Sequence, residues 1–143
     1  MSLANLDNLV KTGQLKVEKF DELEFNGLIR SGKTRLKDAN NPTLAEESRF
    51  DLAYNAAHSI ALAALRWHGY RSVNRYLVFQ VLPYTLEVNQ EIWRILAKCH
   101  ERRNIAEYEG HLEIDDQLLH GLLKAAQILL EQMNKKLERI KSE

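Results

Sequence analysis

Residues 43–68 read TLAEESRFDLAYNAAHSIALAALRWH, and the fold follows from how this stretch is read. It holds no glycine or proline, and Gly69 closes it, so the pattern predicts one long helix ending near His68. Thr43 and Glu46 have capping-box spacing and are expected to open it. Ala53, Ala56, Ala57, Ala61, Ala63 and Ala64 make it rich in small side chains. Small residues let neighbouring helices approach closely, which places this helix at the centre of a bundle.

Toward the C-terminus, residues 69–85 are expected to be irregular, broken at Pro83. Tyr76 to Leu82 is the best strand candidate, but one strand makes no sheet. A fourth helix is expected from near Thr85, with Val88, Ile92, Ile95, Cys99 and Ala106 as its apolar stripe and Gly110 as its stop. The last helix starts near Asp115 and repeats Leu118, Leu122, Ala125, Leu129, Met133, Leu137 and Ile140 at spacings of three and four. Lys135, Lys136, Arg139 and Lys141 near its end suit the helix dipole. Toward the N-terminus, Leu3, Leu6, Leu9 and Val10 before Gly13 predict a short first helix. Asp21 is the expected cap of a second, with Glu24 completing a box and Phe20 and Phe25 as a hydrophobic staple. Leu28, Ile29 and Leu36 continue it, Gly27 and Gly32 each weaken it by roughly 1 kcal/mol, and Asn40-Asn41-Pro42 ends it. The expectation is an all-α, antiparallel four- to five-helix bundle. It forms one domain over 1–143, with a core over about 43–140 and the helices of 1–39 packed on it.

At 143 residues, a folded chain buries roughly 70% of the surface it exposes when unfolded. Apolar residues make up 45% and charged residues 28%, a globular rather than a disordered balance. Twenty Lys and Arg balance twenty Asp and Glu, so a nucleic-acid surface would have to be a local patch. Cys99 is the single cysteine, which excludes an internal disulfide and a cysteine metal cluster and suits a reducing, cytoplasmic setting. No apolar run reaches the ~18 residues of a membrane span, and the first residues lack the pattern of a signal peptide.

The informative segment is His100-Glu101-Arg102-Arg103-Asn104-Ile105-Ala106-Glu107-Tyr108-Glu109-Gly110. Extending the apolar stripe beyond Cys99 by three or four residues brings Arg102 or Arg103 close to the buried seam, where a guanidinium must find partners. Arg103 and Glu107 are one turn apart, as are Asn104 and Tyr108. One reading is structural, with Arg103 paired to Glu107 and the Tyr108 ring buried. The other is an anion site, with Arg103 and Asn104 presenting donors to a phosphate and Arg102 and Glu107 beside them.

Arg103-Asn104 followed by Glu107-Tyr108, late in the penultimate long helix, resembles the signature of the HEPN family of helical-bundle proteins. Arg49-Phe50-Asp51-Leu52-Ala53-Tyr54 early in the alanine-rich helix and Gly69-Tyr70-Arg71 at its end extend the resemblance over roughly residues 43–135. It implies a HEPN-like bundle that dimerises, with two such segments lining a cleft for RNA or a nucleotide. A small nucleotidyltransferase partner in a toxin–antitoxin pair is implied as well. In the family's ribonucleases the arginine is followed, after four to six residues, by a histidine, and RNA is cut without a metal. The arginine stabilises phosphate charge and the histidine assists the 2′-hydroxyl. Here the three possible positions hold Tyr108, Glu109 and Gly110, and His111 comes one residue later. Tyrosine, with a pKa near ~10, is a poor base at neutral pH, so a site that binds an anion is better supported than one that cuts.

No Asp or Glu occurs from Leu52 to Leu86, a stretch carrying Arg66, Arg71, Arg75, His58 and His68 among Trp67, Tyr70, Tyr76, Phe79 and Tyr84. Arginine among aromatics suits stacking on unpaired bases. The plainer alternative makes the aromatics core and the arginines a solvated rim. Tyr54 and His58 are one turn apart and face the same way, with His58 expected as a satisfied core histidine and Cys99 as an inert buried thiol. There is no phosphate loop and no metal-ligand spacing, and no cofactor is implied. Three functions therefore stand: an RNA- or nucleotide-binding dimer, a metal-independent ribonuclease using Arg103 with Tyr108 or His111, and a helical interaction module.

Overall fold

The alanine-rich stretch forms the central helix, α3 (Glu46–Trp67), in a computed structural model that describes residues 2–110 and 114–141. All six of its alanines named above are buried, along with Phe50, Tyr54, Ile60 and Leu65. Its most extensive contacts are with α2 (Glu22–Ala39) and α7 (Asp116–Lys141), and it also touches the shorter elements. At Gly32 α2 comes close to α3. A Cβ there would lie 2.7 Å from Ile60 Cγ1, so α2 carries a glycine because α3 occupies its space. The remaining elements in chain order are α1 (Ser2–Lys11), β1 (Leu15–Val17), β2 (Tyr70–Ser72), α4 (Arg75–Gln80), α5 (Leu82–Thr85) and α6 (Gln90–Glu109). Among the described residues this is a mostly helical bundle with no helix long and apolar enough to cross a membrane.

Several expectations need correction. β1 and β2 pair antiparallel, with Leu15 facing Ser72 and Val17 facing Tyr70, so a small sheet exists where none was expected. The strand candidate Tyr76–Leu82 is helical, and residues 69–85 form β2, α4 and α5 rather than irregular chain. Its near-continuous apolar run, with Leu77, Val78, Phe79, Val81 and Leu82 all buried, has no period that separates strand from helix. α6 begins at Gln90, where the Asn89 side chain accepts from Ile92 N, and not near Thr85. The box at Thr43 does not form. Asn41 Oδ1 accepts from both N and Oγ1 of Thr43, and Ala45 opens α3 without a side-chain cap.

At α2 the cap and staple are as read. Asp21 accepts from the amides of Leu23 and Glu24, and the Phe20 and Phe25 rings lie 5.6 Å apart. Glu24, however, reaches across to Arg66 and Arg71 instead of closing its own box. Arg66 is 1% exposed, not part of a solvated rim. It donates to Glu24 Oε1 (2.6 Å), to the carbonyls of Glu18 (2.9 Å), Tyr70 (3.3 Å) and Lys19 (2.6 Å), and lies 3.6 Å from the Glu18 carboxylate. The last turn of α3 thereby holds the connection between β1 and α2. On α7 the apolar stripe is buried from Leu118 to Met133, then opens, with Ile140 40% exposed.

Candidate functional site

Three helices bring polar side chains to one place. Helical periodicity puts Tyr54 and His58 of α3 on one face, and His100, Arg103 and Asn104 of α6 on another, since residues three and four apart are neighbours. α4 packs against both helices and contributes Arg75, Tyr76 and Phe79. The Tyr54 hydroxyl and His100 Nδ1 are hydrogen-bonded at 2.7 Å, and the Asn104 amide nitrogen lies 3.1 Å from His100 Nε2. The Arg103 guanidinium sits 4.8 Å from the centroid of the Tyr54 ring, a cation–π distance. Its Nε donates to Asp51 Oδ1 at 3.4 Å, a long contact. Phe79 meets the Tyr54 ring edge-on at 5.7 Å and the His58 ring at 5.8 Å, forming the apolar floor. Tyr76 lies 5.8 Å from His100 and 6.3 Å from Trp93.

The electrostatics of this cluster are set by burial and by Arg75 and Arg103, with Asp51 and Glu107 at its edge. Burial first, and then the charges of Arg75 and Arg103 and the nearby His100, push His58 down to about 4. His100 is lowered by burial and by the same two arginines, against an opposing pull from Glu107. Burial raises the Tyr54 hydroxyl, while Arg75 and Arg103 oppose that rise. Both imidazoles are therefore neutral near pH 7, each with one nitrogen able to accept a proton. A phosphate at Arg103 would meet a guanidinium and compete for it with the Asp51 carboxylate. Asp51, 56% exposed at its side chain, is the carboxylate that engages Arg103. His100 and Asn104 face a groove of about 690 Å³ lined also by Tyr76, Trp93, Lys98 and Glu101, whereas Arg103 faces a separate pocket of about 390 Å³ with Glu47, Asp51 and Glu107.

The structure gathers Tyr54, His58, Arg75, Arg103 and Asn104 of the expected residues. It does not gather Arg71, which is held by Glu18 and Glu24 through β2 and the start of α2. Arg102 is half-buried on α6 and makes none of the cluster's contacts among the described residues. Arg103 pairs with Asp51 and not with Glu107, and Tyr108 is 93% exposed, not buried over the core. Glu107 is exposed and lines a shallow pocket with Asp51 and Arg103. His111 lies outside the described residues. Cys99 is fully buried and its thiol is pushed up to about 12 by burial. Among the described residues no three His, Cys, Asp or Glu side chains converge as a metal-ligand set.

His100 was missed as a site residue. Its signal was present, because it lies three residues before Arg103 and four before Asn104, hence on their face. A search for a histidine only downstream of the arginine passes it over. No protein-family model, curated protein or solved structure matches this chain, so the functional reading rests on the site itself.

Proposed function

We propose that this chain is a HEPN-like homodimeric protein of the cytoplasm that binds RNA or a nucleotide by its phosphate, in a cleft centred on Arg103 and Asn104. The observation that carries the proposal is Arg103 over the ring of Tyr54, whose hydroxyl is hydrogen-bonded to His100, with Asn104 on the other ring nitrogen and the charge of Arg75 acting on Tyr54 and both imidazoles. Hydrogen bonds from charged donors contribute about 1.5–3 kcal/mol each, or roughly ten- to a hundredfold in affinity. A second copy would cover the exposed Ile105 and Tyr108 and bring two such segments together. A small nucleotidyltransferase in a toxin–antitoxin pair is the partner that the resemblance to the family suggests. The test is binding of a short labelled single-stranded RNA over a range of salt. Arg103→Ala weakens binding by tenfold or more and shallows the salt slope by about 0.7, the value for one lost phosphate contact on a single strand. Equal affinity and slope in wild type, Arg103→Ala and Arg75→Ala would overturn the proposal.

One observation favours a second reading, metal-independent RNA cleavage. In this reading a neutral His100 beside Arg103 exchanges its Nε2 contact with Asn104 for the proton of a 2′-hydroxyl, as the hydroxyl oxygen attacks phosphorus. The 5′-oxygen then leaves with a proton from solvent, because His58 is neutral. Cleavage that persists in chelator and is lost in both His100→Ala and Arg103→Ala would establish this reading. A folded wild type that binds RNA without cutting it would eliminate it.

A further inference from the structure

Beside the cationic cluster lies a groove of different chemistry. It encloses about 560 Å³ between α1, the α4–α5 segment and the first turn of α6. Asn5, Asn8, Gln80 and Gln90 supply amides, and Tyr84 and Trp93 supply rings. Among the described residues its lining carries no Asp, Glu, Lys, Arg or His, in a chain of which 28% is charged. Such walls offer no formal charge to pair with a phosphate, a carboxylate or an ammonium group. They fit an uncharged molecule with a flat apolar face and an edge that both donates and accepts, since a carboxamide offers a donor and an acceptor side by side. Gln90 is already engaged, its carbonyl oxygen accepting from Arg94 at 3.2 Å. The amides of Asn5, Asn8 and Gln80 have no partner among the described residues.

The position of the groove selects among neutral ligands. Trp93 lines this groove and also the outer groove that contains His100 and Asn104. From Trp93 the path to the cluster runs through two ring contacts, 6.3 Å to Tyr76 and 5.8 Å onward to His100. Arg94 follows Trp93 on α6, and Arg75 opens α4. A neutral, ring-walled groove flanked by guanidiniums matches a nucleotide, whose uncharged base is flanked by anionic phosphates, better than it matches a sugar or a peptide.

We propose that this groove is a nucleobase subsite, in which an unpaired base stacks on Trp93 and offers its edge to the amides of Asn8 and Gln80. The inference rests on the phosphate-binding reading above and narrows its ligand to single-stranded RNA, because a duplex hides the faces and edges of its bases.

The test compares a five-nucleotide single-stranded RNA with an oligomer of the same backbone made abasic. Proteins are the full-length wild type, Trp93→Leu, the double variant Asn8→Ala with Gln80→Ala, and Arg103→Ala. Asn8 and Gln80 are exposed, so their truncation leaves the core intact. Wild type prefers the intact RNA by about tenfold or more, as stacking of a base on an aromatic ring implies. That preference falls below about threefold in Trp93→Leu and in the double variant, while Arg103→Ala weakens both oligomers alike. Equal wild-type affinity for intact and abasic oligomers would overturn the base subsite and leave the phosphate reading standing. A preference that survives both groove variants would overturn its placement. Failure of the wild type to bind either oligomer would overturn both readings.

Discussion

Replacing Arg66 tests whether one buried guanidinium holds the N-terminal third of the chain in place. Its fork donates to one carboxylate oxygen and three backbone carbonyls, all within 3.3 Å, and it is 1% exposed. Arg66→Met keeps much of the apolar stem and removes every donor. Removing one partner of a buried ion pair costs about 3–5 kcal/mol. Three carbonyls left without donors would add about 1–3 kcal/mol each if they stayed dry. Glu18 and Lys19 are exposed residues, so water reaches part of this set, and Glu24 keeps Arg71. The expected loss is therefore about 3–5 kcal/mol, a large share of the roughly 5–15 kcal/mol that holds a domain together. Arg66→Lys keeps the charge but has one nitrogen for four acceptors spread around a planar fork, so it should lose about 2 kcal/mol. Urea unfolding checks this, since the midpoint falls at constant slope if only stability changes. The reasoning is refuted if Arg66→Met loses less than about 1 kcal/mol, or if Arg66→Lys matches the wild type. The consequence reaches the proposed site, because α1, which walls the neutral groove, packs against β1 and α5.

Gly32→Ala gains about 1 kcal/mol of helix propensity but drives a methyl to 2.7 Å from Ile60, an overpacking cost of about 1–3 kcal/mol. The melting temperature should therefore fall, and a rise would contradict the close approach of α2 and α3. His58, His68 and His100 are lowered from 6.5, first by burial, and His58 reaches about 4, so the unfolded state binds the extra protons between those values. Stability is then full above about 6.5 and drains as pH falls toward 4; below 4.5, Glu24 adds its own loss, because hydrogen bonds from Arg71 and Arg66 hold it down against desolvation. Melting followed against pH checks this: His58→Gln should flatten the upper part of the decline, and a wild type insensitive between 6.5 and 4 would contradict it. Asp51→Asn removes the carboxylate that engages Arg103 and should tighten RNA binding by severalfold in the titration described above; weaker binding would assign Asp51 a positioning role instead. Light scattering tests the proposed dimer: the wild type should have a dimer's mass and Ile105→Arg with Tyr108→Arg a monomer's, without loss of helix content, and a monomeric wild type would overturn the dimer.

The parts of this fold that were legible in the sequence are those that local physics decides. The central helix announces itself by alanines and by the absence of breakers over more than twenty residues, and α7 by a stripe that stays in phase to Met133. The Asp21 cap and the Phe20–Phe25 staple involve residues within one turn, so spacing alone describes them. What the sequence hid depends on distant partners. Three-residue strands leave no period to detect, and β1 meets β2 only because the chain returns there after α3. Glu24 has the spacing of a capping box, but two arginines more than forty residues away outbid the amide beside it. Arg66 looked like a rim residue because its partners are mostly carbonyls, which carry no sequence identity at all. The same division runs through the candidate site. Arg103 and Asn104 were found by local spacing, and Tyr54 with His58 by helical phase. Their neighbour His100 was within reach of the same argument, but its role depends on Tyr54, forty-six residues earlier, whose hydroxyl fixes one of its ring nitrogens. His100, hydrogen-bonded to a tyrosine from another helix, brings an imidazole to the face of Arg103 and Asn104 from upstream. The missing downstream histidine therefore does not by itself decide between a binding site and a cutting one. The pH dependence and chelator resistance of any RNA cleavage, in wild type beside His100→Ala, bear on that choice directly.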